Sequence, residues 1–326
     1  MSATAPRVPF LDQEWLCSKG SDAARLIRLM AEHAHPMERL AREKVNRTVL
    51  FFGSARGSSA SEWEVLKADA LEAGDRAECA RLDRTRWMCE WHAKSLELAR
   101  RVAEWQKVRW QDGSGPEYVI ATGGGPGLMA AANEGARIGG ARSMGVAVTL
   151  PFEKGLNAFV DEALAFRLHY FSTRKMVLAD RACGIVALPG GLGTLDELFE
   201  LATLVQTGKV GGLRDPWKAH MPMVLLGGDA YWRRVLNLDA AVELGTISQE
   251  DADRMVIADD VEEAFEALTS GLLRVEAAWA EARGDGGTPA ASASAGRGEL
   301  AGVVGLRDDD SGDEGGPDPG SPVTTV

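Results

Sequence analysis

Several function classes are excluded by what the sequence does not contain. No apolar run in its 326 residues approaches the roughly 20 residues needed to cross a bilayer. The opening stretch, MSATAPRVPFLDQEW, has neither a basic n-region nor an apolar h-region, so no secretory signal is expected. Basic residues are in deficit: 36 Lys and Arg stand against 48 Asp and Glu, a net charge of −12. That balance argues against nucleic acid and anionic membrane surfaces as partners. The cysteines (Cys17, Cys79, Cys89, Cys183) are scattered, with neither metal-binding nor redox spacing. No metal site is expected, and a reducing cytoplasm suits them. Aromatic residues are missing from 284–326, a Gly-, Ala-, Ser- and Pro-rich segment with eight acids against two bases. Such a composition cannot bury enough apolar surface to offset its ordering entropy, so it reads as a disordered acidic tail.

The chain as a whole is 45% hydrophobic by composition, enough for one large domain with appendages. Residues 1–46 read as a helical extension, DAARLIRLMAEHAHPMERLAREK, interrupted by Pro36. Residues 47–283 read as the main domain, with a helical insertion at about 61–110. Trp87, Trp91, Trp105 and Trp110 in that insertion are expected to be packing anchors. After it, apolar strands alternate with helices: EYVIATGG, GLMAAANEGAR, SMGVAVTL, ALAFRLHY, STRKMVLADRA, GIVALPGG, GTLDELFELATLVQTGK and MPMVLLGG. AYWRRVLNLDAA and a last long segment read as closing helices. Near-continuous apolar strands, each followed by a helix, predict an α/β fold: a doubly wound, Rossmann-like parallel sheet with helices on both faces.

Ligands of such sheets bind at the carboxyl ends of the strands. Three glycine-bearing turns are predicted there: Gly53-Ser54-Ala55-Arg56, Gly123–Gly127, and Pro189–Thr194. TGGGPGLM is not the dinucleotide G-x-G-x-x-G, and no G-K-[ST] is present, so neither an NAD site nor an ATP P-loop is indicated. Tight packing and close approach to a ligand both remain open for that loop. PGGLGT is more specific. Gly190, Gly191 and Gly193 leave amides bare at a helix start, where unpaired donors and the macrodipole favour an anion; Thr194 adds a hydroxyl. One phosphate fits, without metal. Asp196 and Glu197 follow immediately. Thr194-x-x-Glu197 has capping-box spacing, but a carboxylate held beside a phosphate-bearing substrate is the alternative, and spacing leaves both open.

PGGLGTLDE, STRKM, TGGGPGLMAAANEGA and FFGSARG together resemble the LOG ("lonely guy") family, often mislabelled lysine decarboxylase, over about residues 48–270. LPFEKGLN and LFELATLVQTGK look like its longer bacterial members. The resemblance implies hydrolysis of the N-glycosidic bond of a nucleoside 5′-monophosphate, AMP or a cytokinin riboside 5′-monophosphate, to free base and ribose 5-phosphate. It implies Arg174 and Glu197 as the catalytic pair. Gly53, Ser54, Gly124, Gly125, Met129, Glu153, Lys175, Gly190, Gly191, Gly193, Thr194 and Thr203 would bind substrate. On residue type alone, Arg174 and Lys175 would read as a solvated helix face. No cofactor is implied, and no motif supplies a pyridoxal-phosphate site. Similar proteins are dimers with active sites near the interface, so a homodimer or higher homo-oligomer is expected. The alternatives are a non-catalytic nucleotide carrier on the same fold and a broad purine and pyrimidine nucleotide nucleosidase.

Overall fold

The computed structural model describes residues 21–111, 113, 115–149, 155–209 and 220–282. Helix α1 (Asp22–Arg42) starts at Ser21, whose side chain accepts the Ala24 N–H. Contrary to the expected interruption, it continues through Pro36. Pro36 and Leu40 are buried, and that packing offsets the roughly 3 kcal/mol that a helix-interior proline costs. Strand β1 (Arg47–Phe52) follows, and then the insertion, which folds as α2 (Ala60–Glu72), α3 (Arg76–Thr85) and α4 (Met88–Arg109). Beyond it the chain alternates through β2 (Tyr118–Thr122), α5 (Leu128–Gly139), β3 (Ser143–Val148), β4 (Ala165–Leu168), α6 (Phe171–Asp180), β5 (Ala182–Ala187), α7 (Leu192–Gln206) and β6 (Met223–Leu226). Short helices α8 (Trp232–Val235), α9 (Leu238–Glu243) and α10 (Gln249–Asp253) lead to β7 (Met255–Ala258) and α11 (Val261–Ala282).

The strands form one sheet in the order β4-β3-β2-β1-β5-β6-β7, and every pairing is parallel. Side-chain alternation divides its residues between two cores. Val49, Phe51, Tyr118 and Ile120 join Trp91, Leu98 and Leu272 in one layer. Leu50, Phe52, Val119 and Ala121 join Leu40, Val177 and Leu201 in the other. Helices therefore cover both faces, as continuous apolar strands require. Strand β7 was not expected: MVIA is four residues long, partly exposed, and lies at the sheet edge. The segment AYWRRVLNLDAA, expected as a helix, divides in two because Asn237 caps a new start by accepting the Ala240 N–H.

Because the chain runs from β1 outward to β4 and then returns to the far side of β1, the order reverses between β1 and β5. A crevice opens at such a reversal, beyond the strand ends. At the opposite end of the sheet, Arg47 donates to both Glu276 oxygens, at 2.8 and 2.9 Å, and Tyr118 donates to Oε1 at 2.7 Å. This ties α11 to β1 and β2. Burial pushes the Glu276 carboxyl up, against the pull of Arg47. Trp91 is buried, and Trp105 and Trp110 pack around Tyr118. Trp87 is different: it is 38% exposed and stacks on Tyr231. Among the described residues no helix is long and apolar enough to cross a membrane.

Candidate active site

The three glycine turns meet at the crevice. Ser54 ties them together: its N–H donates to Pro189 O at 3.0 Å, and its carbonyl accepts the Leu128 N–H at 3.0 Å. Its hydroxyl accepts the Arg56 N–H at 3.1 Å. Gly53 is packed closely, since a Cβ there would lie 2.8 Å from Leu128 and 3.2 Å from Leu188. Both residues thus join the loops rather than lying open.

The Gly123–Gly127 loop is held from beneath by a buried polar network. The Thr122 hydroxyl accepts the Gly124 N–H at 2.8 Å and donates to Asn133 at 2.7 Å. Asn157 donates to Asn133 and to the carbonyls of Gly124 and Gly125. Gly124 has φ +74°, and a Cβ there would lie 2.1 Å from Leu156. Its glycine is needed for conformation and space alike. Met129 lies across the loop, near Gly123 and Gly125. Over Gly123 lies the guanidinium of Arg174, so close that a Cβ would be 2.7 Å from Nη2.

Arg174 reaches this position from α6. That helix has no cap of its own. Glu32 of α1 serves it instead, accepting the N–H groups of His169 and Tyr170 at 2.8 and 3.2 Å and the Thr173 hydroxyl at 2.9 Å. The N-terminal helix is thereby fastened to the element that carries Arg174. Arg174 Nη2 lies 3.7 Å from Glu197 Oε1, an ion pair too long for a hydrogen bond. Its Nε is buried with no hydrogen-bond partner among the described residues. Buried guanidinium donors are normally satisfied, so an open one marks a place for an acceptor.

Glu197 is 3% exposed. Burial pushes its carboxyl above the usual range, while Arg174 and then Lys175 pull it back. The capping-box alternative is not realised. The N-cap is Gly191, with no side-chain cap, which puts Thr194 in the first turn and Glu197 further along. Glu197 is therefore not spent on the helix start. Asp196, its neighbour, turns outward and binds Lys175 at 2.8 Å; Glu200 binds the same ammonium. Burial pulls the Lys175 ammonium down, but the hydrogen bonds it donates to these two carboxylates outweigh that and hold it above its ordinary value. Lys175 is thus engaged by α7 and lies along an open cavity of about 800 Å³ that also touches Gly193, Phe199 and Thr203. Thr203 is exposed there, its hydroxyl bonded to Phe199 O.

Gly191 and Gly193 are exposed, and a Cβ at either would meet nothing within 4 Å. Gly190 is buried against Thr194. The start of α7 therefore presents bare amides to solvent beside Arg174 and Glu197, which suits an anion. Glu153 lies outside the described residues, as does the acidic tail. Asn133, Asn157, Glu32 and Tyr231 were not singled out from the sequence; they act across long stretches of chain, and no local spacing announces them.

The family model described as possible lysine decarboxylase matches residues 129–268. The probable cytokinin riboside 5′-monophosphate phosphoribohydrolase LOG4 of Oryza sativa subsp. japonica is 31% identical over 154 residues, 46% of this chain. This chain spans 62% of that protein's length, less than two thirds. The cytokinin riboside 5′-monophosphate phosphoribohydrolase LOG7 of Arabidopsis thaliana is 30% identical over 169 residues, 48% of this chain and 72% of that protein. Among solved structures, the Moco carrier protein from Chlamydomonas reinhardtii aligns over 70% of this chain and 99% of its own, at 20% identity and a TM-score of 0.39. At that likeness the parallel sheet itself, not the neighbour, defines the fold. Identity of this order across nearly three quarters of the Arabidopsis protein, together with the PGGLGTLDE turn and its arginine, means that the chain belongs to the LOG family.

Proposed function

We propose that this protein hydrolyses the N-glycosidic bond of a nucleoside 5′-monophosphate. Water adds its hydroxyl to C1′, the base leaves with the remaining proton, and the products are free base and ribose 5-phosphate. Departure of the base builds positive charge on the ribose, as in glycoside cleavage. Glu197 opposes that charge and orients the water. Arg174 holds Glu197 ionised. The amides of Gly191–Gly193, with Thr194, take the 5′-phosphate and so convert remote binding energy into orientation at C1′. The observation that carries this reading is a buried carboxylate without a hydrogen-bond partner among the described residues, 3.7 Å from a half-buried arginine and beside an uncapped glycine helix start. The names of the relatives support the same chemistry. Neither metal nor cofactor enters this scheme.

Glu197→Ala and Arg174→Ala are expected to remain folded and to lose release of adenine from AMP, read by chromatography. Unchanged turnover in either variant sinks the roles assigned here. Tight AMP binding by the wild type without free adenine would instead favour a carrier. AMP and cytokinin riboside 5′-monophosphates are the first substrates for a panel, which also tests broader base tolerance. We place the protein in the cytoplasm as a homodimer or higher homo-oligomer. For the assembly the support is exposed apolar side chains on α6 and α7: Leu192 is 86% exposed, and Met176 and Phe199 are exposed as well. A monomer in light scattering would count against that assembly.

A further inference from the structure

The PGGLGT turn binds an anion well only if its carbonyls face away from the open end of α7. Three of them do. Pro189 O accepts the Ser54 N–H at 3.0 Å, and Gly191 O accepts the N–H groups of Thr194 and Leu195 at 3.0 and 3.1 Å. Gly190 O accepts the hydroxyl of Tyr231, a residue 41 positions further along the chain. The carbonyls of Pro189 and Gly191 use backbone donors that the fold supplies in any case. That of Gly190 depends on one side chain.

That bond acts at the weakest point of the turn. The peptide between Gly190 and Gly191 has glycine on both sides, so few steric barriers oppose its rotation. A trans peptide is planar, with its C=O and N–H on opposite sides. Holding Gly190 O inward therefore aims the Gly191 N–H outward. Among the described residues, no backbone carbonyl accepts that N–H, and Gly191 is exposed. A flipped peptide would instead present a carbonyl oxygen to the incoming anion and repel it.

Tyr231 is itself clamped. Its ring lies edge-on to Trp232, with centroids 5.0 Å apart and an interplanar angle of 84°. Trp232 is fully buried, and its indole N–H donates to Ala187 O and Leu226 O. On the other side Trp87 stacks at 6.0 Å and 17°. Trp87 stands at the start of α4, so it brings the helical insertion into contact with the site. Burial holds the phenol above its ordinary value, so it stays a donor at neutral pH.

We propose that Tyr231 is a positioning residue that locks the Gly190–Gly191 peptide in its anion-binding orientation, and that Trp87 of the insertion braces it. This rests on the phosphate-binding reading of the α7 start. The test is calorimetry with AMP, inorganic phosphate and adenosine on the full chain. Tyr231→Phe keeps the ring and removes only the hydroxyl. It should weaken AMP and inorganic phosphate by the same factor, about fivefold to tenfold, leave competition by adenosine unchanged, and keep the melting midpoint. Trp87→Ala should give the same pattern, with a smaller loss. Unchanged phosphate affinity in Tyr231→Phe overturns the proposal. So does equal weakening of adenosine, which would mean general damage to the crevice. Inorganic phosphate is not turned over, so its affinity is read independently of hydrolysis, and AMP is titrated in the Glu197→Ala background, where turnover is lost. A wild type that binds AMP without releasing adenine refutes the hydrolytic reading alone, and the phosphate comparison still decides the role of Tyr231. A wild type that binds neither AMP nor phosphate overturns both.

Discussion

Replacing Gly123 by alanine probes the site where it is tightest. The position has no positive φ, so alanine fits the backbone conformation. Its Cβ, however, would lie 2.7 Å from Arg174 Nη2 and 3.1 Å from Met129 Sδ, where ordinary contact begins at 3.4 Å. The guanidinium must therefore retreat by about 0.7 Å, the difference between 3.4 and 2.7 Å. Both obstructing atoms are ends of flexible side chains, so the fold should absorb the change with little loss of stability. Catalysis should not: displacing a catalytic group by about 1 Å can cost about a hundredfold, and a loss between about tenfold and a hundredfold in kcat/KM for AMP is expected. Adenine release gives the rate, and thermal melting should show a midpoint within a few degrees of the wild type. In an Arg174→Ala background the same substitution should have almost no further effect, because groups that act through one contact are not additive. If the two losses multiply, or if Gly123→Ala alone is fully active, Arg174 does not act from its place over Gly123.

Glu197→Gln should stabilise the fold at neutral pH while abolishing turnover. The buried carboxyl is raised above its unfolded value, so its contribution is fully present below that unfolded value, near 4.5, and is lost as pH rises through the folded one. Denaturant midpoints at pH 7.5 and pH 4 check this: the advantage of Gln should shrink at the lower pH, and a Gln variant less stable than wild type at pH 7.5 refutes it. Glu32→Ala removes three hydrogen bonds at the start of α6 and should cost about 1–2 kcal/mol together with part of kcat, because α6 carries Arg174. Loss of stability with full activity would separate the two elements. Glu276→Ala strands Arg47 and should destabilise by about 3–5 kcal/mol in urea unfolding, with kcat per folded molecule unchanged.

The layered sheet was legible because its strands are continuous apolar runs punctuated by glycine, a pattern set by local composition. The edge strand β7 was not, since four residues of mixed exposure carry no such pattern. Within the site, the glycine turns were visible as turns, but their internal wiring was not. Asp196 and Glu197 are neighbours on one helix, and only the position of α7 against α6 decides that one faces Lys175 and the other Arg174. Thr194 and Glu197 have the spacing of a capping box, yet the helix begins earlier, at Gly191. Glu32 and Tyr231 act on partners 137 and 41 residues away, distances over which no periodicity operates. Trp87 lies in the same helical insertion as Trp91, Trp105 and Trp110, which pack in or against the core, and only the fold sets Tyr231 beside it.

A binding floor built from main-chain amides holds no proton that can be gained or lost between acid and alkaline conditions. The amides of Gly191 and Gly193 at the open end of α7 carry no titrating group of their own. The attraction those amides exert is thus nearly constant across the physiological range, and the pH dependence of their pull comes from the guest. A phosphate monoester loses its second proton near ~6, so loading should strengthen across that step and then level off, however alkaline the medium becomes.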